Sequence, residues 1–221
     1  TYVEVLERRG FSHVAVEILR RDSSDLSALV VRGIEKSTDS YSTGLVIGPV
    51  QSGKTGSMFG LINSLVDLGV QIIVVLSGTK KLLWQQTVER YYGDVHNNLS
   101  ISLRGACLPS ASRGSVVPQS WDVGSAYSVS KPEVRRLVRS KSPVVIFGLK
   151  QADHLSAITN SIRDVLLPVH SELGSNPKIV VIDDEADDAS ILSFSTDVRD
   201  SVPVPSLIDR LLRVSGGQSA Y

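Results

Sequence analysis

Residues 44–58 read Gly44-Leu-Val-Ile-Gly48-Pro-Val-Gln51-Ser52-Gly53-Lys54-Thr55-Gly-Ser-Met58. A short apolar run, Gly44–Ile47, has strand character. It leads into a turn bracketed by two glycines, and a helix-compatible run then extends from Lys54 to Leu68, closed by Gly69. Gly48 to Thr55 match G-x-x-x-x-G-K-[ST] without a mismatch. The pattern has a physical reason. Glycines let the backbone fold tightly around an oxyanion, and the free N–H groups at a helix start attract phosphate. Gly48, Gln51, Ser52, Gly53, Lys54 and Thr55 are therefore the expected phosphate cradle. Lys54 is expected to reach the β and γ phosphates of a nucleoside triphosphate, and the Thr55 hydroxyl to ligate Mg²⁺. The bland reading is an accidental string, but a strand before and a helix after are what the chemistry requires.

Outward from this stretch, strands and helices alternate. Gln71–Leu76 and Lys178–Ile182 are continuous apolar runs rich in β-branched residues, as expected of strands buried on both faces. Val144–Phe147 is a third such strand. Lys80–Tyr92 reads as a helix closed by Gly93, Pro132–Ser140 as a short basic helix, Ala152–Leu167 as a helix ending before Pro168, and Pro205–Val214 as a last helix. Residues 105–131 are rich in Ser, Gly and Pro and read as a loop or insertion. Residues 2–36 read as helical, with polar breaks near Gly10 and Asp22–Ser24. The expected fold class is α/β: a parallel sheet flanked by helices, with an N-terminal helical extension over 1–42 and the phosphate-binding domain over 43–221.

Residues 182–188 read Ile182-Asp183-Asp184-Glu185-Ala186-Asp187-Asp188. An apolar strand runs directly into carboxylates at the end where parallel sheets bind ligands. The preferred assignment takes Asp184 as the metal partner, Glu185 as the catalytic base and Asp187 as a coupling residue. Shifting the frame by one residue makes Asp183 the metal partner instead. A solvated acidic loop is the bland alternative. A metal-dependent nuclease of the PD-(D/E)xK type wants a lysine two residues past an acidic one on a strand, and none follows here.

The 221 residues suit one α/β domain with decoration, or a domain and part of another. Lys+Arg and Asp+Glu are both 23, so no basic coat advertises a nucleic-acid binder, although a local grip on a backbone remains compatible with zero net charge. The single cysteine, Cys107, excludes an intramolecular disulfide and fits a cytoplasmic setting. No apolar run approaches the roughly 20 residues that span a bilayer, and no signal peptide is visible, so no membrane association is expected. The start at Thr1 and the stop at Tyr221 just after a Gly-Gly turn signal read as a piece of a longer polypeptide. The four histidines lack metal-ligand spacing among themselves or with Cys107, so no zinc site is expected.

The phosphate cradle and the Asp-Glu-Ala-Asp string together resemble the first RecA-like lobe of superfamily-two helicases. More narrowly, Gly48-Pro-Val-Gln-Ser-Gly-Lys-Thr55, Val74-Val-Leu-Ser-Gly-Thr79, Leu83-Trp-Gln-Gln-Thr87 and Ile182-Asp-Asp-Glu-Ala-Asp-Asp-Ala-Ser-Ile191 resemble the helicase part of the bacterial Z-one-domain proteins. The resemblance covers roughly 43–221. It implies a RecA-like P-loop NTPase lobe that binds and hydrolyses ATP with Mg²⁺ and acts on nucleic acid, with DNA expected, in a restriction, repair or anti-phage setting. ATP rather than GTP is inherited from the resemblance alone. It also implies a second RecA-like lobe with an arginine finger, and leaves room for an endonuclease activity, elsewhere in the full-length protein. The family's Thr-Ala-Thr-Pro motif would begin where this chain reads Ser219-Ala-Tyr221. Leu192 stands where the family usually has Asn.

Ser77, Thr79 and Lys80, at a strand end and helix start, are expected to touch a nucleic-acid backbone, as superfamily-two helicases do at this place; simple capping of the next helix is the alternative. Lys150, after another strand end, is a second such candidate. Arg135, Arg136 and Arg139 read as a solvated helix face, Trp84 as core, and Trp121 and Tyr127 as anchors of a surface loop. Two further functions compete with a motor: a nucleotide-dependent switch or scaffold regulating an attached or partner nuclease, and a small-molecule kinase. Kinases of that kind place their acidic residue closer to the cradle and carry an arginine-rich lid; the gap from Lys54 to Asp184 and the Glu185 that follows argue against one.

Overall fold

The computed structural model describes residues 2–36, 41–46, 54–98, 105–109, 123–184, 186, 204–214 and 219–221. Expectations on Ile47, Gly48–Gly53, Glu185, Asp187, Trp121 and the 110–122 part of 105–131 fall outside these residues, as does the Lys54 side chain.

Five strands form one all-parallel sheet. They are β1 (Ile72–Ser77), β2 (Ala106–Leu108), β3 (Val144–Gly148), β4 (Ile179–Asp184) and β5 (Ser219–Ala220), in the order β2-β3-β1-β4-β5. β1 lies at the centre. It pairs with β3 from Ile72↔Val144 to Leu76↔Gly148, and with β4 from Ile72↔Ile179 to Ser77↔Asp184. All six β1 residues are buried, which is why the run carries no polar alternation. Beyond β5, Ser42 forms a parallel bridge to Ala220, and Gly44 N–H donates to the Tyr221 carbonyl at 2.8 Å. Of the expected strand at 44–47, residues 44–46 are described and form no strand, and Leu45 and Val46 stand exposed.

The pleat sorts β residues onto two faces. Ile73, Val75, Phe147 and Val180 pack with helices α1 (Tyr2–Arg8), α2 (His13–Lys36), α3 (Lys54–Asp67) and α4 (Lys81–Asp94). Ile72, Val74, Leu76, Ile146 and Val181 pack with α6 (Lys131–Arg139), α7 (Ala152–Ser161), α8 (Leu167–Glu172) and α9 (Val204–Arg213). A short helix, α5 (Val123–Ala126), precedes α6. α9 turns Leu207, Ile208, Leu211 and Leu212 inward at helical spacing.

The helices depart from expectation where packing overrides a local signal. α2 runs unbroken through Asp22–Ser24, because Ser23 lies against α3: a Cβ on Gly60 would meet Ser23 Oγ at 2.4 Å and Leu19 Cδ2 at 2.8 Å. The break at Gly10 is real, with φ of +82°. α4 continues through Gly93 to Asp94. The helix begun at Ala152 does not stop before Pro168. Proline has no N–H to give back, and the chain widens into a π turn over Ile162–Leu166, with Leu167 N–H donating to the Ile162 carbonyl, before resuming as α8. The insertion contributes β2, and Tyr127 is core rather than a surface anchor.

Gly60→Val is expected to push α2 off α3 and to lower stability by about 1–3 kcal/mol, the usual cost of overpacking. A urea midpoint equal to that of the unsubstituted chain would contradict the close approach.

Candidate functional site

Parallel strands place all their C-terminal ends at one edge, and the helix lengths match. α3 has 14 residues and β1 has 6. At 1.5 Å per helical residue α3 is about 21 Å long, and at 3.3 Å per strand residue β1 spans about 20 Å. α3 ends at Asp67 and β1 begins at Ile72, a turn later, with Gly69 at φ of +80°. The helix therefore runs back against the strands, and its first residue, Lys54, lies level with their C-terminal ends. Met58, Phe59, Leu61, Ile62 and Leu65 fix it on the α2/α4 face of the sheet.

β4 brings Asp183 and Asp184 to the same edge, and the pleat separates them. Asp184 follows Val180 and Ile182 onto the face that carries α3, opposite Ser77 in register. Asp183 follows Ile179 and Val181 onto the α7/α9 face. There its carboxylate is enclosed, with Oδ1 at 2.9 Å from Lys150 Nζ and Oδ2 accepting from the Tyr221 hydroxyl at 2.5 Å. The Lys150 and Asp183 side chains are 0% and 3% exposed. Of the two frames for the acidic string, Asp184 is the carboxylate on the face that carries α3, and Asp183 is committed to an internal ion pair.

The four expected nucleic-acid contacts do gather at this edge. Lys150 N–H donates to the Gly78 carbonyl at 2.8 Å, tying the ends of β1 and β3, and Gln151 Nε2 donates to the Thr79 carbonyl at 3.3 Å. Their side chains diverge, however. Lys80 is exposed and Thr79 half-buried, whereas Ser77 is 4% exposed. Lys150 is corrected: its ammonium points into the protein at Asp183 and offers no surface cation to a phosphate backbone. Lys80 is the N-cap of α4, with no side-chain cap, so capping by Ser77 or Thr79 is not how that helix starts. Ser77 Oγ, on the Asp184 face, is buried without a hydrogen-bond partner among the described residues.

Behind the edge, the β3 end is braced by aromatic side chains. Phe147 O accepts from Trp84 Nε1 at 2.8 Å and from the Tyr127 hydroxyl at 3.3 Å, and that hydroxyl lies 2.6 Å from His154 Nδ1. Burial holds the His154 imidazole below its ordinary pKa and pushes the Tyr127 phenol well above its own. Cys107 is buried, with its thiol pushed up to about 12 by desolvation, and is no nucleophile at neutral pH. Arg135 pairs with Glu172 at 2.8 Å on the outer surface, in keeping with a solvated face.

A cleft of about 700 Å³ opens beside Asp183 and Asp184, bounded by Leu29 and Val30 of α2, residues 42–46, Leu61 and Tyr221. Among the described residues no group of three or more His, Cys, Asp and Glu could hold a metal by itself. The described residues do fit a magnesium ion shared with a ligand. Asp184 supplies a carboxylate on the α3 face, Thr55 lies in the first turn of α3, and a buried hydroxyl stands beside Asp184. Hard oxygen donors of this kind suit Mg²⁺, which takes few protein ligands and completes its shell with water and phosphate. No helix among the described residues is long and apolar enough to cross a membrane. Comparison with protein families, with curated proteins and with solved structures yields no match to this chain.

The sequence reading missed the Lys150–Asp183–Tyr221 chain and the Tyr127–His154 pair. The available signal was an ionisable residue directly after a wholly apolar strand, Val144–Gly148 then Leu149-Lys150, which a buried partner explains as well as a ligand does.

Two outcomes follow for stability. Lys150→Met alone leaves Asp183 buried without its cation and is expected to cost about 3–5 kcal/mol, read as a fall in urea midpoint. His154 stays neutral in the fold while the unfolded chain takes up a proton near its ordinary pKa. Stability is therefore full above pH 6.5 and declines as pH falls below it. His170, also lowered by burial, acts in the same sense. The urea midpoint should drop between pH 7 and pH 5.5, and the drop should shrink in His154→Gln; an identical drop in both would remove His154 from the account.

Proposed function

We propose that this chain is a RecA-like P-loop NTPase lobe. It binds ATP with Mg²⁺ and hydrolyses it within a helicase-like motor that acts on nucleic acid, with DNA the favoured substrate. The observation that carries the reading is that Asp184 and the start of α3 share one face and one edge of a parallel sheet. A carboxylate and a helix N-terminus in that relation can serve one metal–triphosphate, the helix start through its amides and the acid through the cation.

In this reading, residues Gly48–Gly53 cradle the phosphates. Lys54 neutralises the β and γ oxygens. Thr55 and Asp184 hold magnesium, which when bound offsets the charge that develops on the transferred phosphoryl group. Glu185 orients the attacking water and accepts its proton. Asp187 relays the state of the site to the rest of the motor. Lys80 and the half-buried Thr79, on the next strand end, are the residues best placed to meet a polyanion without reading its sequence. A second lobe of the same polypeptide would supply the arginine that such sites use, worth roughly 10³–10⁵ in rate. A role in bacterial restriction, repair or phage defence, in the cytoplasm, completes the proposal and rests on the resemblance to Z-one-domain proteins.

Lys54→Ala is expected to abolish binding of a fluorescent ATP analogue, and unchanged affinity would remove the phosphate-cradle assignment. Glu185→Gln in the complete protein should bind nucleotide normally and lose hydrolysis, measured as phosphate release with and without DNA.

A further inference from the structure

β4 carries its carboxylates at its C-terminal end, beside β1 and past the Ile179 and Val180 that pair with β5. Two side chains hold Asp183 there. Lys150 Nζ reaches Asp183 Oδ1 at 2.9 Å, and the Tyr221 hydroxyl reaches Oδ2 at 2.5 Å. Lys150 is itself anchored, its N–H on the Gly78 carbonyl and its aliphatic stem enclosed. Tyr221 is anchored by its N–H on the Ser42 carbonyl at 2.8 Å. Three strand ends and the segment that leads toward α3 are thus joined through one aspartate.

We propose that Lys150 is a positioning residue for the metal site: by clamping Asp183 on the α7/α9 face, with Tyr221 as second holder, it aims the adjacent Asp184 onto the face of α3. The inference rests on the proposed nucleotide site and deepens it. The pleat is the lever, because adjacent residues of a strand project to opposite faces and fixing one fixes the peptide plane that carries the next. An enclosed ion pair at 2.9 Å attracts strongly, and the hydrogen bond from the Tyr221 hydroxyl to Oδ2 adds direction, so together they suit holding the Asp183 carboxylate in one orientation. An apolar pair of similar volume would fill the space equally well and would not hold the carboxylate.

That difference supplies the test. Binding of a fluorescent ATP analogue to the full chain is measured in EDTA and in excess Mg²⁺, and the ratio of the two affinities is the magnesium enhancement. Lys150→Met with Asp183→Val replaces the ion pair by apolar side chains, and Tyr221→Phe removes one hydroxyl; thermal melting monitors the fold of each. The double variant is expected to fold, keep its affinity in EDTA and lose about tenfold or more of the magnesium enhancement. Tyr221→Phe is expected to lose a few-fold with an unchanged melt. A folded double variant with the full enhancement overturns the proposal, since the pair would then be packing alone. If the double variant does not fold, Tyr221→Phe decides: full enhancement there overturns the proposal as well. An unsubstituted chain that binds no nucleotide in either condition would instead overturn the proposed function, and this inference with it.

Discussion

The alternation of side chains along a buried parallel strand is the constraint on which the rest of this molecule depends. Every residue of β1 is enclosed, so neither face can be given to water, and each strand of the sheet must divide its residues between two helical layers. That division continues past the last apolar residue of β4. It sends Asp184 toward the layer containing α3, and Asp183 into the layer of α7 and α9, where a full charge must find a partner. The two carboxylates thus part to opposite faces, and only that of Asp183 is paired with Lys150.

The internal pair is costly to build and costly to break. Two charges removed from water must compensate each other closely; Lys150 Nζ lies 2.9 Å from Asp183 Oδ1, and the Tyr221 hydroxyl donates to Oδ2. Such a pair contributes orientation more than net stability. It stands at the C-terminal end of β4, past the residues that pair with β5. The same edge is braced from behind at β3, where Trp84 and Tyr127 donate to the Phe147 carbonyl and His154 lies beside the Tyr127 hydroxyl.

The N-terminal helices belong to the same core as the sheet. Tyr2 and Leu6 of α1, and Val16 and Ile34 of α2, pack in the cluster that includes α3 and the inner residues of β1 and β4. The close approach of Ser23 to Gly60 presses α2 along the helix that begins at Lys54. Residues read from sequence as an extension therefore support α3 directly.

Sequence alone determined the α/β class, the central strands and the helix that opens at Lys54, because β-branched runs and helical periodicity report burial without knowledge of partners. It also located the acidic string at a strand end. Three matters were decided only by tertiary structure. The continuity of α2 through Asp22–Ser24 depends on a glycine in another helix, which no local pattern contains. The two-residue strand β5 is too short to carry a periodicity and exists because β4 and residues 42–44 lie on either side of it. The choice between Asp183 and Asp184 was open in the string itself, since both are aspartates at a strand end. It depends on which face each residue meets, and a face is a property of the packed sheet, set by neighbours distant in the chain such as Lys150.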